Sequence, residues 1–111
     1  MTFIICNVNR QQVTLFGRLL IELFPGCTIH QSCDPMRVIQ RLSSQNVDAV
    51  FVDSHTLPDV MNMLKHRNLI AKIWLLRRLD EVLPEEKDTD YGVLSFPASK
   101  QEILEALKRI A

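Results

Sequence analysis

The stretch Val47-Asp48-Ala49-Val50-Phe51-Val52-Asp53-Ser54-His55-Thr56-Leu57-Pro58 decides how the chain folds. Four apolar residues, Ala49 to Val52, run straight into a carboxylate at Asp53. A polar loop of Ser54, His55 and Thr56 follows, closed by Leu57-Pro58. A short, contiguous, β-branched run suits a strand covered on both faces, as in a parallel sheet under helices. In such sheets ligands and chemistry sit just beyond the carboxyl ends of the strands, which is where Asp53 stands.

The segments on either side repeat the same unit. Phe3 to Cys6 is an apolar run ending at Asn7, a first strand, and Asn9 can cap a helix from about Arg10 to Phe24. Val13, Phe16, Leu19, Leu20, Leu23 and Phe24 keep the 3.6-residue period until Pro25-Gly26 stops it. Cys27 to Gln31 reads as a second strand. Asp34-Pro35 then starts a helix through Met36, Ile39 and Leu42 to about Ser43. Beyond Asp53, Pro58 opens a short helix to about Arg67. The fourth strand lies in Ile70 to Leu76. Arg77 to Tyr91 is ambiguous, because Pro84 interrupts an acidic run of Asp80, Glu81, Glu85, Glu86, Asp88 and Asp90. A short or distorted fourth helix around Leu79 to Leu83 is all it offers. Gly92 to Phe96 is a fifth strand, and Ser99-Lys100-Gln101-Glu102 is a capping box ahead of the last helix.

Strand and helix alternate five times with short connections. The expected architecture is α/β, a flavodoxin-like, doubly wound, five-stranded parallel sheet with helices on both faces. At 111 residues this is one domain, 1–111. Lys+Arg and Asp+Glu balance at 13 each, so overall charge gives no argument for nucleic acid or a membrane surface. The N-terminus MTFIICNV lacks a basic region and a long apolar span, so neither a signal peptide nor a transmembrane helix is expected. The three cysteines, Cys6, Cys27 and Cys33, have no CxxC or metal spacing and read as reduced thiols in a cytoplasmic protein, with Cys6 in the core.

With five β/α units, an Asp closing strand three and an X-Pro after strand five, the whole chain resembles the receiver domain of bacterial two-component response regulators. In that family the Asp at this position accepts a phosphoryl group in a phosphorelay, and Asp53 matches it. The resemblance also implies partners for that Asp, and they are missing here. The paired acids at the end of strand one, which hold Mg²⁺, are Asn7 and Val8. The Thr or Ser closing strand four is Leu76, or Arg77 if the register slips. The Lys before the strand-five proline is Phe96, and Val93 fills the slot of a switching aromatic. Phosphoryl transfer needs charge neutralisation and positioning, and Mg²⁺ prefers one or two carboxylates in octahedral oxygen geometry. With Asp53 the single carboxylate evident, the expectation is no cofactor, or at most weak Mg²⁺ at Asp53. The chain therefore reads as a degenerate, atypical pseudo-receiver. Asp53 becomes a carboxylate hydrogen-bonded to loop amides at a strand end.

Other chemistries fit less well. Asp53-Ser54-His55 has the D-x-H form used by cobalamin-binding domains, but theirs follows the first strand and is accompanied by glycines absent here. His30, His55 and His66 lie in separate segments, which argues against a metal site. Cys6 ends strand one, as the phosphocysteine of sugar-transport IIB domains does, yet the loop Asn7 to Gln11 has no small residues to cradle phosphate. No nucleophile, base and oxyanion group assemble into an enzyme site, so no catalytic residue is assigned.

The leading expectation is a signalling module that works by protein–protein contact or dimerisation, without conventional phosphorylation. The resemblance places its partner surface on the face of the fourth helix, fifth strand and fifth helix. There Arg77 and Arg78 beside Asp80 and Glu81 could pair reciprocally with a protein partner or a second copy. The alternative is a working phosphoacceptor of a two-component transcription regulator, phosphorylated on Asp53, with Asn7, or an acid such as Asp34 or Asp59, helping to hold metal. The end of the chain fits either a free-standing protein or the N-terminal domain of a longer regulator, whose DNA binding would lie elsewhere.

Overall fold

A computed structural model describes residues 1–32, 34–78, 91–96 and 99–108, with Arg78 and Phe96 placed by their positions in strands. The elements are β1 (Thr2–Cys6), α1 (Arg10–Leu23), β2 (Thr28–Gln31), α2 (Pro35–Ser44) and β3 (Ala49–Val52). They continue as α3 (Leu57–His66), β4 (Ile73–Arg78), β5 (Gly92–Phe96) and α4 (Lys100–Lys108). All strand pairs are parallel, in the order β2-β1-β3-β4-β5, which is the flavodoxin-like order.

Alternation along each strand sorts the core into two layers. Phe3, Ile5, Phe51, Leu76 and Leu94 face α1 and α4, where Phe16, Leu20, Ile103 and Leu107 meet them. Phe16 packs edge-on against Phe51 with ring centroids 4.7 Å apart. Ile4, Cys6, Val50, Val52 and Leu75 face the other way, under Val38 and Ile39 of α2 and Val60 and Leu64 of α3. Every residue of β3 is fully buried, as a strand covered on both faces requires.

The helix starts are set by local chemistry. Asn9 Oδ1 accepts from the N–H groups of Gln11 and Gln12 at 3.0 and 3.2 Å, and Asp34 Oδ1 accepts from Met36 N–H at 3.0 Å. The Ser99 hydroxyl accepts from Glu102 N–H at 3.2 Å, the first half of a capping box, and donates to the Glu102 carboxylate at 3.1 Å.

One boundary differs from expectation in a way that bears on function. β4 does not stop at Leu76 but continues through Arg77 and Arg78, because β5 extends alongside and pairs them with Ser95 and Phe96. The expected helical turns at 79–83, and with them Asp80 and Glu81, lie outside the described residues, as does Cys33. The last helix of the sequence reading, its fifth, is α4 here.

Candidate functional site at the β1 and β3 ends

Strand register builds the site. Cys6 lies opposite Val52, and Asp53 N–H donates to Cys6 O at 3.1 Å, so Asn7 and Asp53 emerge side by side. Val52 lies opposite Leu75, which puts Leu76 level with Asp53 on the other flank. A cavity of about 390 Å³ opens there, with Asn7, Val8, Ser54, His55 and Leu76 around Asp53. The fold thus gathers Asp53, Asn7, Val8 and Leu76 in one place. Phe96 closes β5 two residues beyond Leu94, the strand partner of Leu76.

The Asp53 carboxylate, 8 % exposed, is engaged on both oxygens. Oδ2 accepts from Val8 N–H at 2.9 Å, reaching across from the β1–α1 loop. Oδ1 accepts from Thr56 N–H at 2.7 Å and also from the Thr56 hydroxyl. Asp53 O accepts from Leu57 N–H at 3.1 Å, so the turn after β3 runs directly into α3. Two N–H groups and one O–H occupy three of the carboxylate's about four lone-pair directions. The carboxylate ties the β1–α1 and β3–α3 loops together and caps the turn that leads into α3.

The neighbours are committed elsewhere. Asn7, 3 % exposed, accepts on Oδ1 from Asn9 N–H at 2.8 Å and donates from Nδ2 to Gln12 Oε1 at 2.9 Å. Val8 is exposed and brings only its backbone N–H to Asp53. Leu76, 2 % exposed, belongs to the core under α1 and α4. His55 and Ser54 are solvent-facing loop residues.

A Mg²⁺ ion needs several free oxygen donors in octahedral geometry. On the described walls of this cavity Asp53 is the one carboxylate, its oxygens already hold hydrogen-bond donors, and Asn7's carbonyl oxygen serves Asn9. The residues present do not fit the metal. Asp34 and Asp59, considered as additional acids, are not among those walls; Asp34 caps α2 and Asp59 lies exposed on α3. Among the described residues no cluster of three His, Cys, Asp or Glu side chains could hold a metal ion.

Of the expected partner surface, Arg77 is half-buried in β4 opposite Ser95, and Arg78 follows it opposite Phe96. Both belong to β4, between β3 and β5, and so fall outside the ambiguous segment in which the sequence reading places them. The residue that sequence reasoning missed is Thr56, buried at 4 % exposure. Its spacing, Asp53-x-x-Thr56, has the three-residue separation of a helix-start box and could have exposed it.

No family model matches the chain, and no curated protein matches it. Solved structures do resemble it. The signal receiver domain of an HD domain-containing protein from Pseudomonas fluorescens Pf-5 superposes with a TM-score of 0.69 at 20% identity, covering 98% of this chain and 92% of that one. A receiver domain protein from Bacillus halodurans C-125 gives 0.68 at 16% identity, covering 100% and 97%. The N-terminal signal receiver domain of a two-component response regulator from Bacteroides fragilis gives 0.65 at 14% identity, covering 99% and 96%. The chain has the fold of the response regulator receiver domain.

Proposed function

We propose that this domain is a non-enzymatic signalling module, a receiver-like unit spanning residues 1–111 that works through contacts with a protein partner or a second copy, without phosphorylation of Asp53. The observation that carries this reading is the double engagement of the Asp53 carboxylate by Val8 and Thr56. A phosphoacceptor must offer an oxygen lone pair to phosphorus and have the resulting charge neutralised. Here three of the about four lone-pair directions hold the two loops in place, the flanking positions are Asn7 and Leu76, and the described walls carry no lysine, arginine or second carboxylate to neutralise the charge or hold a metal.

Partner contacts are proposed at the β5 edge of the sheet, where Val93 on one side and Leu104 of α4 on the other are 38% and 36% exposed, with Arg77 and Arg78 at the adjoining end of β4. Among the described residues no helix is long and apolar enough to cross a membrane. The free thiols of Cys6 and Cys27 suit a reducing cytoplasm.

A Mg²⁺ titration followed by amide NMR tests the reading. Millimolar Mg²⁺ is expected to leave the Val8, Asp53 and Thr56 amides in place. Saturable shifts centred on those three would show a metal at Asp53 and overturn it.

A further inference from the structure

A second and larger cavity, about 690 Å³, lies at the same carboxyl end of the sheet, between the ends of β1 and β2 and the starts of α1 and α2. Two arginines from different helices line it: Arg10 opens α1 and Arg37 is the third residue of α2. Neither side chain has a hydrogen bond or ion pair among the described residues. Gln31 and Ser32, at and just past the end of β2, add polar groups, and Val13 is the one aliphatic wall among the described residues. The wall carboxylate, Asp34, is committed to capping α2 through its bond to Met36 N–H.

We propose that this cavity binds a phosphoryl group, held by Arg10 and Arg37. An unpaired guanidinium is a planar fork of donors that matches phosphate oxygens bidentately. Two arginines against the single Asp34 carboxylate leave the described walls net positive, which favours an anion. The volume falls within the roughly 300–1,000 Å³ of small-molecule sites, so it admits either free phosphate or a small phosphate monoester. The position is also the one that open α/β sheets use for ligands, outside the carboxyl ends of the strands.

Inorganic phosphate and glycerol 3-phosphate, each titrated into the folded ¹⁵N-labelled protein at constant ionic strength, test this. Saturable amide shifts are expected at Arg10, Gln31, Ser32 and Arg37. Tighter binding of the ester would identify a monoester as the natural source, and equal or tighter binding of phosphate would identify the free ion; both outcomes support a phosphoryl site. Arg10→Gln and Arg37→Gln are each expected to weaken binding at least about tenfold, since each removes a charge-assisted contact. Arg18→Gln removes an exposed arginine of α1 that does not line the cavity, so it is the charge control and is expected to bind as the parent does. Non-saturating shifts, shifts matched by chloride, binding indifferent to both arginine changes, binding weakened as much by Arg18→Gln, or saturable shifts centred on Val8, Asp53 and Thr56 instead would each overturn the assignment.

Discussion

The backbone N–H and the side-chain hydroxyl of Thr56 both donate to the same carboxylate oxygen of Asp53, while Val8 N–H holds the other. This places the carboxylate at the end of β3 inside a buried set of hydrogen bonds. A hydrogen bond to a charged group contributes about 1.5–3 kcal/mol, so the arrangement has measurable consequences.

Thr56→Val keeps the shape and the backbone bond but removes the hydroxyl donor. It is expected to destabilise the domain by about 1.5–3 kcal/mol in urea unfolding. Thr56→Ser retains the hydroxyl and loses one methyl group, so it should cost only about 1 kcal/mol. Equal stability of the Val variant and the parent would show that the hydroxyl does not hold the loop.

Asp53→Ala leaves the Val8 and Thr56 donors facing no acceptor. A loss of about 2–4 kcal/mol is expected, because orphaned buried polar groups carry their full desolvation cost. Unchanged or raised stability would indicate a carboxylate kept for reactivity instead of structure.

Asn7→Asp puts a second carboxylate beside Asp53. Without metal the two like charges should lower the melting temperature. Paired carboxylates suit Mg²⁺, so millimolar Mg²⁺ should restore part of the loss in this variant and leave the parent unchanged. A parent protein stabilised by Mg²⁺ to the same degree would contradict the donor-set argument.

Leu76→Thr would return a hydroxyl to the flank of Asp53, at the expense of the core under α1 and α4. Removing a buried isobutyl group and burying a hydroxyl should cost about 2–4 kcal/mol. A loss below about 1 kcal/mol would mean that Leu76 is not anchored in that core.

Gly92 lies opposite Trp74 in the β4–β5 register, and a Cβ there would overlap the indole ring. Gly92→Ala is expected to destabilise by about 1–3 kcal/mol, with a change in Trp74 fluorescence as the ring shifts. An unshifted spectrum with full stability would show that the ring does not need the space.

Much of this was legible in the chain. The contiguous run Ala49 to Val52 gave away a doubly covered strand, and Asn9, Asp34 and Ser99 declared their helices through cap chemistry that acts within three residues. The neighbourhood of Asp53 was legible too, because parallel register brings Asn7 and Leu76 to it once the strand order is known. What the sequence did not display depends on contacts between distant segments. Val8 reaches Asp53 through its backbone, which carries no side-chain signature. Thr56 is the local exception: only three residues from Asp53, its spacing was there to be read, although the turn after β3 is what aims its hydroxyl back at the carboxylate. The length of β4 likewise depends on β5, whose pairing with Arg77 and Arg78 extends the strand beyond the apolar run.

The central claim is that the Asp53 carboxylate is structural. Intact-protein mass spectrometry after incubation of the folded domain with acetyl phosphate and Mg²⁺, with Asp53→Asn as control, tests it most directly. The account predicts that parent and variant both emerge unmodified. A phosphate adduct on the parent that the Asp53→Asn protein lacks would contradict it and make Asp53 the switch.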